Sequence, residues 1–199
     1  MAYKYIVHYF FDYKKKLIIK HRNNVFELNS SQNSLNKILG SKISINSFKT
    51  VNDSFHARYD PFERTYKYFV SDINQQYPYL SSQSYIYPKK LDLKKLNHLS
   101  KLFVGEHNFS AFSKHDVKKN PNRQIYKSEW IKRRDFFEYT ITGNSFLRNM
   151  VRNIVGVQIA YCEDKLSYEE ISINLDNPKK GRLNFIAPPH GLVLWNVKY

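Results

Sequence analysis

Two arginines four residues apart, Arg148 and Arg152, stand in an otherwise largely apolar run, Ser145 to Ala160, SFLRNMVRNIVGVQIA. At about 3.6 residues per turn the run reads as a helix. Leu147, Met150, Val151, Ile154, Val155 and Ile159 fall on one broad face, with Asn149, Asn153, Gly156 and Ala160 opposite. The spacing puts both arginines on one side, Arg148 inside the apolar arc and Arg152 on its shoulder. A guanidinium cannot shed its charge and carries several N–H donors. Set among apolar residues, it either extends its head to water or meets an anion. The chemistry available here is anion recognition.

The composition narrows the choice of anion. The chain has 199 residues, enough for one large or two small domains with a substantial core. Hydrophobic residues make up 42%, which excludes a disordered chain. Lys and Arg number 32 against 17 Asp and Glu, a net charge of +15. A field of that sign favours a polyanion, and 16 Tyr with 14 Phe supply flat surfaces for unstacked bases. The favoured partner is a nucleic acid, single-stranded or looped RNA first. The runs Lys14–Lys16, Lys118–Lys119, Lys132–Arg134 and Lys179–Lys180 suit phosphates, though any one of them taken singly reads first as a solvated face.

Other classes are disfavoured. The lone Cys162 excludes an intramolecular disulfide and a cysteine-rich zinc site. The histidines show no HxxxH or HxH spacing, so no metal is expected. No apolar run is long enough to span a bilayer, and the stretch MAYKYIVHYFFDYKKK is too short and aromatic for a signal peptide. The expectation is a cytoplasmic protein without a membrane partner.

The elements that must position the arginines follow from pattern. VFELN, from Val25, reads as a short strand, and SQNSLNKILGS as a helix from about Ser31 or Ser34 to Gly40. KISINSFKTV alternates, as does RTYKYFVSD, so both read as strands. LDLKKLNHLSKLFVG reads as an amphipathic helix with Leu93, Leu96, Leu99, Leu102 and Phe103 on one face, stopped by Gly105. SEWIKRRDFFEYTITGN predicts two antiparallel strands around a turn at Arg134-Asp135. KLSYEEISINLDN predicts a short helix and GLVLWNVKY a final strand. The order is α+β: a mixed, mainly antiparallel sheet with helices packed on one face.

Three stretches, FHARYDPFERTYKYFV (Phe55 to Val70), FVGEHNFSAF (Phe103 to Phe112) and NSFLRNMVRNIVG (Asn144 to Gly156), resemble the tRNA pseudouridine synthases of the TruA type. The ending APPHGLVLWNVKY, Ala187 to Tyr199, fits the same family in order and spacing. The resemblance runs from about residue 25 to the end. It implies three segments: a divergent stretch 1–24, a remnant of the N-terminal RNA-binding half over 25–54, and the synthase C-terminal domain over 55–199. It also implies a pseudouridine synthase-like fold, a tRNA partner, a homodimer, and catalysis without metal or cofactor.

The family isomerises uridine to pseudouridine in the anticodon stem-loop, at positions 38 to 40. The base is detached from C1′, rotated and reattached through carbon. The resemblance makes Arg152 the partner of a catalytic aspartate, and Tyr66 the residue that stacks on the target base and can pass a proton. It makes Leu192 a wall of the base pocket. Arg148 and Arg64 are candidate substrate-binding residues, Arg148 for the RNA backbone unless it extends to solvent, and Arg64 for phosphate unless it pairs with Asp60 or Glu63. The base must leave its stack, so an aromatic platform is physically required. The aspartate belongs to a G-R-T-D-x-G-V-H-A stretch that this sequence lacks. Before Phe55 the acids are Asp12, Glu27 and Asp53, and Asp12, in FFDYKKK, comes at roughly the right place. Two functions stay open: a synthase, or a relative that binds structured RNA without chemistry. If Arg152 is buried without its carboxylate, it is an unpaired charge costing several kcal/mol, on the order of an isolated buried ion.

Overall fold

A computed structural model describes residues 25–39, 43–47, 51, 54–72, 82–114, 120–178 and 183–199. Asp12, Asp53 and the lysines at 14–16, 118–119 and 179–180 lie outside these residues. The chain divides into two compact units, with the boundary between Asp60 and Pro61.

In the first unit a helix, α1, runs from Val25 to Leu39. VFELN is therefore helical, not a strand. Val25, Leu28, Leu35 and Leu39 have helical spacing, which a five-residue window cannot show. The segment 43–47 has no ladder partner, so the expected strand is not formed there. Instead the Asn36 amide brackets Ile45: Nδ2 donates to its carbonyl at 2.9 Å and Oδ1 accepts its N–H at 2.7 Å. Gln32 Nε2 donates to the same carbonyl at 2.9 Å.

The second unit is built on one sheet of six strands: β1 Glu63–Asp72, β2 Tyr85–Tyr87, β3 Gly105–Asn108, β4 Asn122–Lys132, β5 Phe136–Gly143 and β6 Leu192–Lys198. The path is β2-β1-β5-β4-β3, and β6 also pairs β1. Both β2 and β6 use the same edge of β1: Val70–Asp72 pairs β2 in parallel, and Glu63–Tyr68 pairs β6 antiparallel. Every residue of the central β5 is buried. The expected hairpin is present, with Arg133 N–H donating to the Phe136 carbonyl at 2.8 Å to close the turn.

Helices α2, Leu93–Ser100, and α3, Met150–Cys162, cover one face of this sheet, followed by α4, Tyr168–Asp176. Asp92 caps α2 by accepting from the Lys94 and Lys95 N–H groups. The helix continues as a single 3-10 turn, Lys101–Phe103, so Gly105 opens β3 and does not itself end α2. Leu96, Leu99 and Phe103 are fully buried. A buried amide joins three elements: Gln158 Oε1 on α3 accepts from Ser100 Oγ at 2.5 Å and from Trp130 Nε1 at 2.8 Å. That pairing removes the cost of an unsatisfied polar group in the core. No helix among the described residues is long and apolar enough to cross a membrane.

Helix α3 departs from its sequence reading in two ways. It starts at Met150, because Asn149 adopts a left-handed conformation at φ 62°, which Asn tolerates better than most residues. Arg148 is thus outside the helix, and its four-residue relation to Arg152 does not hold. The helix is also enclosed on nearly all sides: Asn153 and Ala160, expected on the outer face, are buried. A strap of chain, residues 183–188, closes that side. A methyl group added at Gly156 would lie 1.9 Å from the Phe185 carbonyl oxygen. Overpacking of this kind costs about 1–3 kcal/mol, so Gly156→Ala is expected to lower the thermal midpoint by several degrees in a calorimetric scan.

The far end of α3 is tied by ions. Glu163 accepts from Lys89 and Lys165, each at 2.7 Å. Lys165 and then Lys89 hold its carboxyl at about 2, well below the ordinary 4.5. A depressed carboxyl contributes stability above its unfolded value and loses it as pH falls toward the folded one. The gap in midpoint between the wild type and Glu163→Gln is expected to close as pH falls from 4.5 to about 2, as read by thermal scans.

Candidate active site

Strand β1 presents Tyr66 and Tyr68 on one face, two residues apart. On β6, Leu194 stands opposite Tyr66 and Leu192 opposite Tyr68. Opposed residues of an antiparallel pair share a face. Tyr68 is wholly buried in the core beneath α3, so this is the helical face. Arg152 lies on the first turn of α3 and approaches Tyr68 closely enough for its charge to act on the phenol.

The strap joins these residues. Arg152 Nε donates to the Ala187 carbonyl at 2.7 Å, and the Ala187 N–H donates back to the Arg152 carbonyl at 3.1 Å. One residue on, the Pro188 carbonyl accepts from the Tyr68 hydroxyl at 2.7 Å. A single turn, Pro189–Gly191, then delivers Leu192. Gly191 must be bare, since a methyl there would lie 2.8 Å from the Tyr68 ring and from the Phe69 carbonyl. Arg152 and Leu192 are therefore positioned by one continuous segment clamped at two consecutive carbonyls.

Tyr66 is half-buried, its ring edge-on to Phe146 at 5.1 Å. Burial pushes its phenol up, and the Arg64 charge pulls it part of the way back. At neutral pH the group is a phenol, a proton donor and not a ready base. Arg64 is on the same face, where Nη1 donates to the Asn144 carbonyl at 2.7 Å and to the Pro61 carbonyl at 3.0 Å. Asn144 in turn accepts at Oδ1 from the Gln124 and Ser145 N–H groups. The loop leading to α3 is thus held from both neighbouring strands.

Tyr66, Leu192, Arg64 and Arg152 converge on this face. Arg148 is exposed, before the helix, and its carbonyl accepts from the Lys114 N–H at 2.9 Å. Its side chain is not on the same helical stripe as Arg152. Asp12 lies outside the described residues. Arg152 makes no ion pair within the described residues. Among them no cluster of His, Cys, Asp and Glu could hold a metal ion.

Sequence reasoning missed Tyr68 and Phe146. The signal for Tyr68 was the pair of tyrosines two apart in RTYKY. Nothing in the sequence shows that main-chain carbonyls at 187 and 188 are the partners. Tyr68→Phe leaves the Pro188 carbonyl without its donor, at a cost of about 1–3 kcal/mol. Tyr66→Phe, which breaks no such bond, is expected to change stability by about 0.5 kcal/mol or less. Urea unfolding of the two variants checks the contrast.

A family model described as tRNA pseudouridine synthase matches residues 99–199. The chain is 36% identical over 166 residues to tRNA pseudouridine synthase A 2 of Bacillus anthracis, covering 83% of this chain and 68% of that protein. It is 34% identical over 167 residues to tRNA pseudouridine synthase A of Staphylococcus aureus, covering 83% and 63%. With tRNA pseudouridine synthase A of Malacoplasma penetrans it shares 36% over 178 residues, covering 87% and 71%. The matches thus span about two thirds of the length of these relatives. These likenesses show the family: the chain belongs to the tRNA pseudouridine synthases, a family of isomerases that act on tRNA.

Proposed function

We propose that this chain isomerises uridine to pseudouridine in the anticodon stem-loop of tRNA, at positions 38 to 40. The observation that carries the reading is the clamp. Arg152 spends Nε on the Ala187 carbonyl, leaving its terminal nitrogens for an anion. In this reading the anion is the catalytic carboxylate, which Arg152 orients and keeps ionised. Tyr66 supports the extruded base and donates or relays a proton while the ring turns. Its raised phenol suits the protonated role. Leu192, fixed by the strap, closes the pocket beside it. Arg64 braces the loop before α3, and Arg148 meets backbone phosphate.

In this reading the acid that Arg152 orients comes from outside the described residues, with Asp12 as the first candidate. The reading further holds that residues 25–54 derive from the RNA-binding half, that 55–199 form the synthase domain, and that the protein is a cytoplasmic homodimer. The absence of the G-R-T-D stretch favours one other reading, a relative that binds structured RNA without turnover.

The test is a pseudouridine assay on unmodified tRNA with uridines at positions 38 to 40. Turnover is expected, lost in Arg152→Ala and in Asp12→Asn while tRNA binding stays within a few-fold. Turnover that survives in Asp12→Asn removes that residue from the mechanism. Binding with no turnover in the unaltered chain overturns the catalytic reading in favour of the second.

A further inference from the structure

We propose that Arg123 is a phosphate-binding residue on the same face of the sheet, an anchor for the RNA backbone. The proposal rests on the tRNA-binding part of the reading above and not on turnover. Arg123 is the second residue of β4 and shares a face with Ile125. A methyl at Gly143 would lie 2.8 Å from Ile125 Cδ1 and 3.3 Å from Phe146 Cζ, so Ile125 and Phe146 meet on that face. Phe146 touches the Tyr66 ring. Arg123 therefore lies on the Tyr66 face, one step nearer the end of the sheet.

Its guanidinium is only partly used. Nη1 donates to the Asn120 carbonyl at 2.8 Å and to the Asn122 carbonyl at 2.5 Å. Nε is buried and has no partner. Arg123 enters no ion pair within the described residues. The opposed residue on β3 is His107, whose Nε2 lies 3.0 Å from the Val104 carbonyl and is engaged there. Burial works against the Arg123 charge, and among the described residues only two carbonyls, and no carboxylate, face it.

A purely structural role, closing the turn at Asn120–Asn122, engages Nη1 and leaves the charge without a counter-charge among the described residues. A phosphate at the terminal nitrogens would supply the missing counter-charge, since the guanidinium presents planar N–H groups to anionic oxygens. In a chain of net charge +15 the polyanion to supply it is RNA.

The experiment is tRNA binding across a range of salt concentrations with the full chain. Arg123→Gln is expected to weaken binding about tenfold, the loss of one charge-assisted hydrogen bond. It is also expected to reduce the slope of log K against log salt by about 0.7 to 1. Lys95→Gln is the control. Its ammonium is engaged by Asp164 at the other end of α3, and it should change neither quantity. Wild-type affinity and slope in Arg123→Gln overturn the site, as does failure of the unaltered chain to bind tRNA. Binding without pseudouridine formation removes the catalytic reading and leaves the site standing. Should Arg123→Gln fail to fold, phenylglyoxal labelling of the unaltered chain decides. Slower modification of Arg123 when tRNA is bound supports the site, and an unchanged rate refutes it.

Discussion

The close approach of the strap to α3 is the constraint on which the rest of the second unit depends. Backbone meets backbone there: the Phe185 carbonyl occupies the space a side chain would need at Gly156. The Arg152 and Ala187 main chains are joined by a hydrogen bond one turn away. This seals a helix that carries buried residues around most of its surface, Asn153 and Gln158 among them. It also fixes the distance from Arg152 to the turn that produces Leu192. A shift in the strap would move the arginine, the Tyr68 hydroxyl contact and the leucine together.

Two irregularities at one end of the sheet reinforce this. The ladder between β1 and β6 slips between Thr65 and Tyr66, so that Trp195 is the extra residue on β6. The ladder between β4 and β5 slips beside Ile125, where Tyr126 is extra and exposed. Bulges bend a strand and strengthen its twist, and they gather beside functional sites. Both lie within a residue or two of Arg64, Tyr66 and Gly143. Trp195 comes within 4.2 Å of the Lys67 ammonium, which also pairs with Glu138 at 2.6 Å. The two faces of β1 are thus used differently: an ion pair and an indole on one, two tyrosines beneath the helix on the other.

The hairpin, the late helices and β6 were legible because each has a period its environment enforces. Alternation served β1 and the antiparallel pair, and Leu96, Leu99 and Phe103 marked the face of α2 correctly. What failed did so for local reasons. A five-residue window cannot separate Val25–Asn29 as strand from the first turn of α1. The start of α3 turns on one dihedral, at Asn149, which apolar periodicity does not register. The candidate site was legible as far as side chains in a recognisable order name its candidates, Tyr66, Arg152 and Leu192. It was not legible where it rests on carbonyls: the partners of Arg152 and Tyr68 belong to an alanine and a proline, whose side chains announce nothing.

The geometry at Arg152 also changes the electrostatic argument. Treated as a buried cation without its carboxylate, the residue would be a liability of several kcal/mol, the order expected for an unpaired interior ion. It is only half-buried, and its Nε is satisfied by a carbonyl that the fold holds in place independently. Glu138 shows the contrasting case. It is 6% exposed and held ionised against its own burial by Lys67, with Arg133 beside it at 3.4 Å. Because Arg152 is oriented by backbone, its placement does not require an acid opposite it. The described residues of the second unit can therefore keep the arginine, the tyrosine and the leucine in register whether or not a carboxylate arrives. Under the proposed function, the division between a working synthase and an RNA-binding relative falls on one carboxylate, not on the fold that positions the arginine.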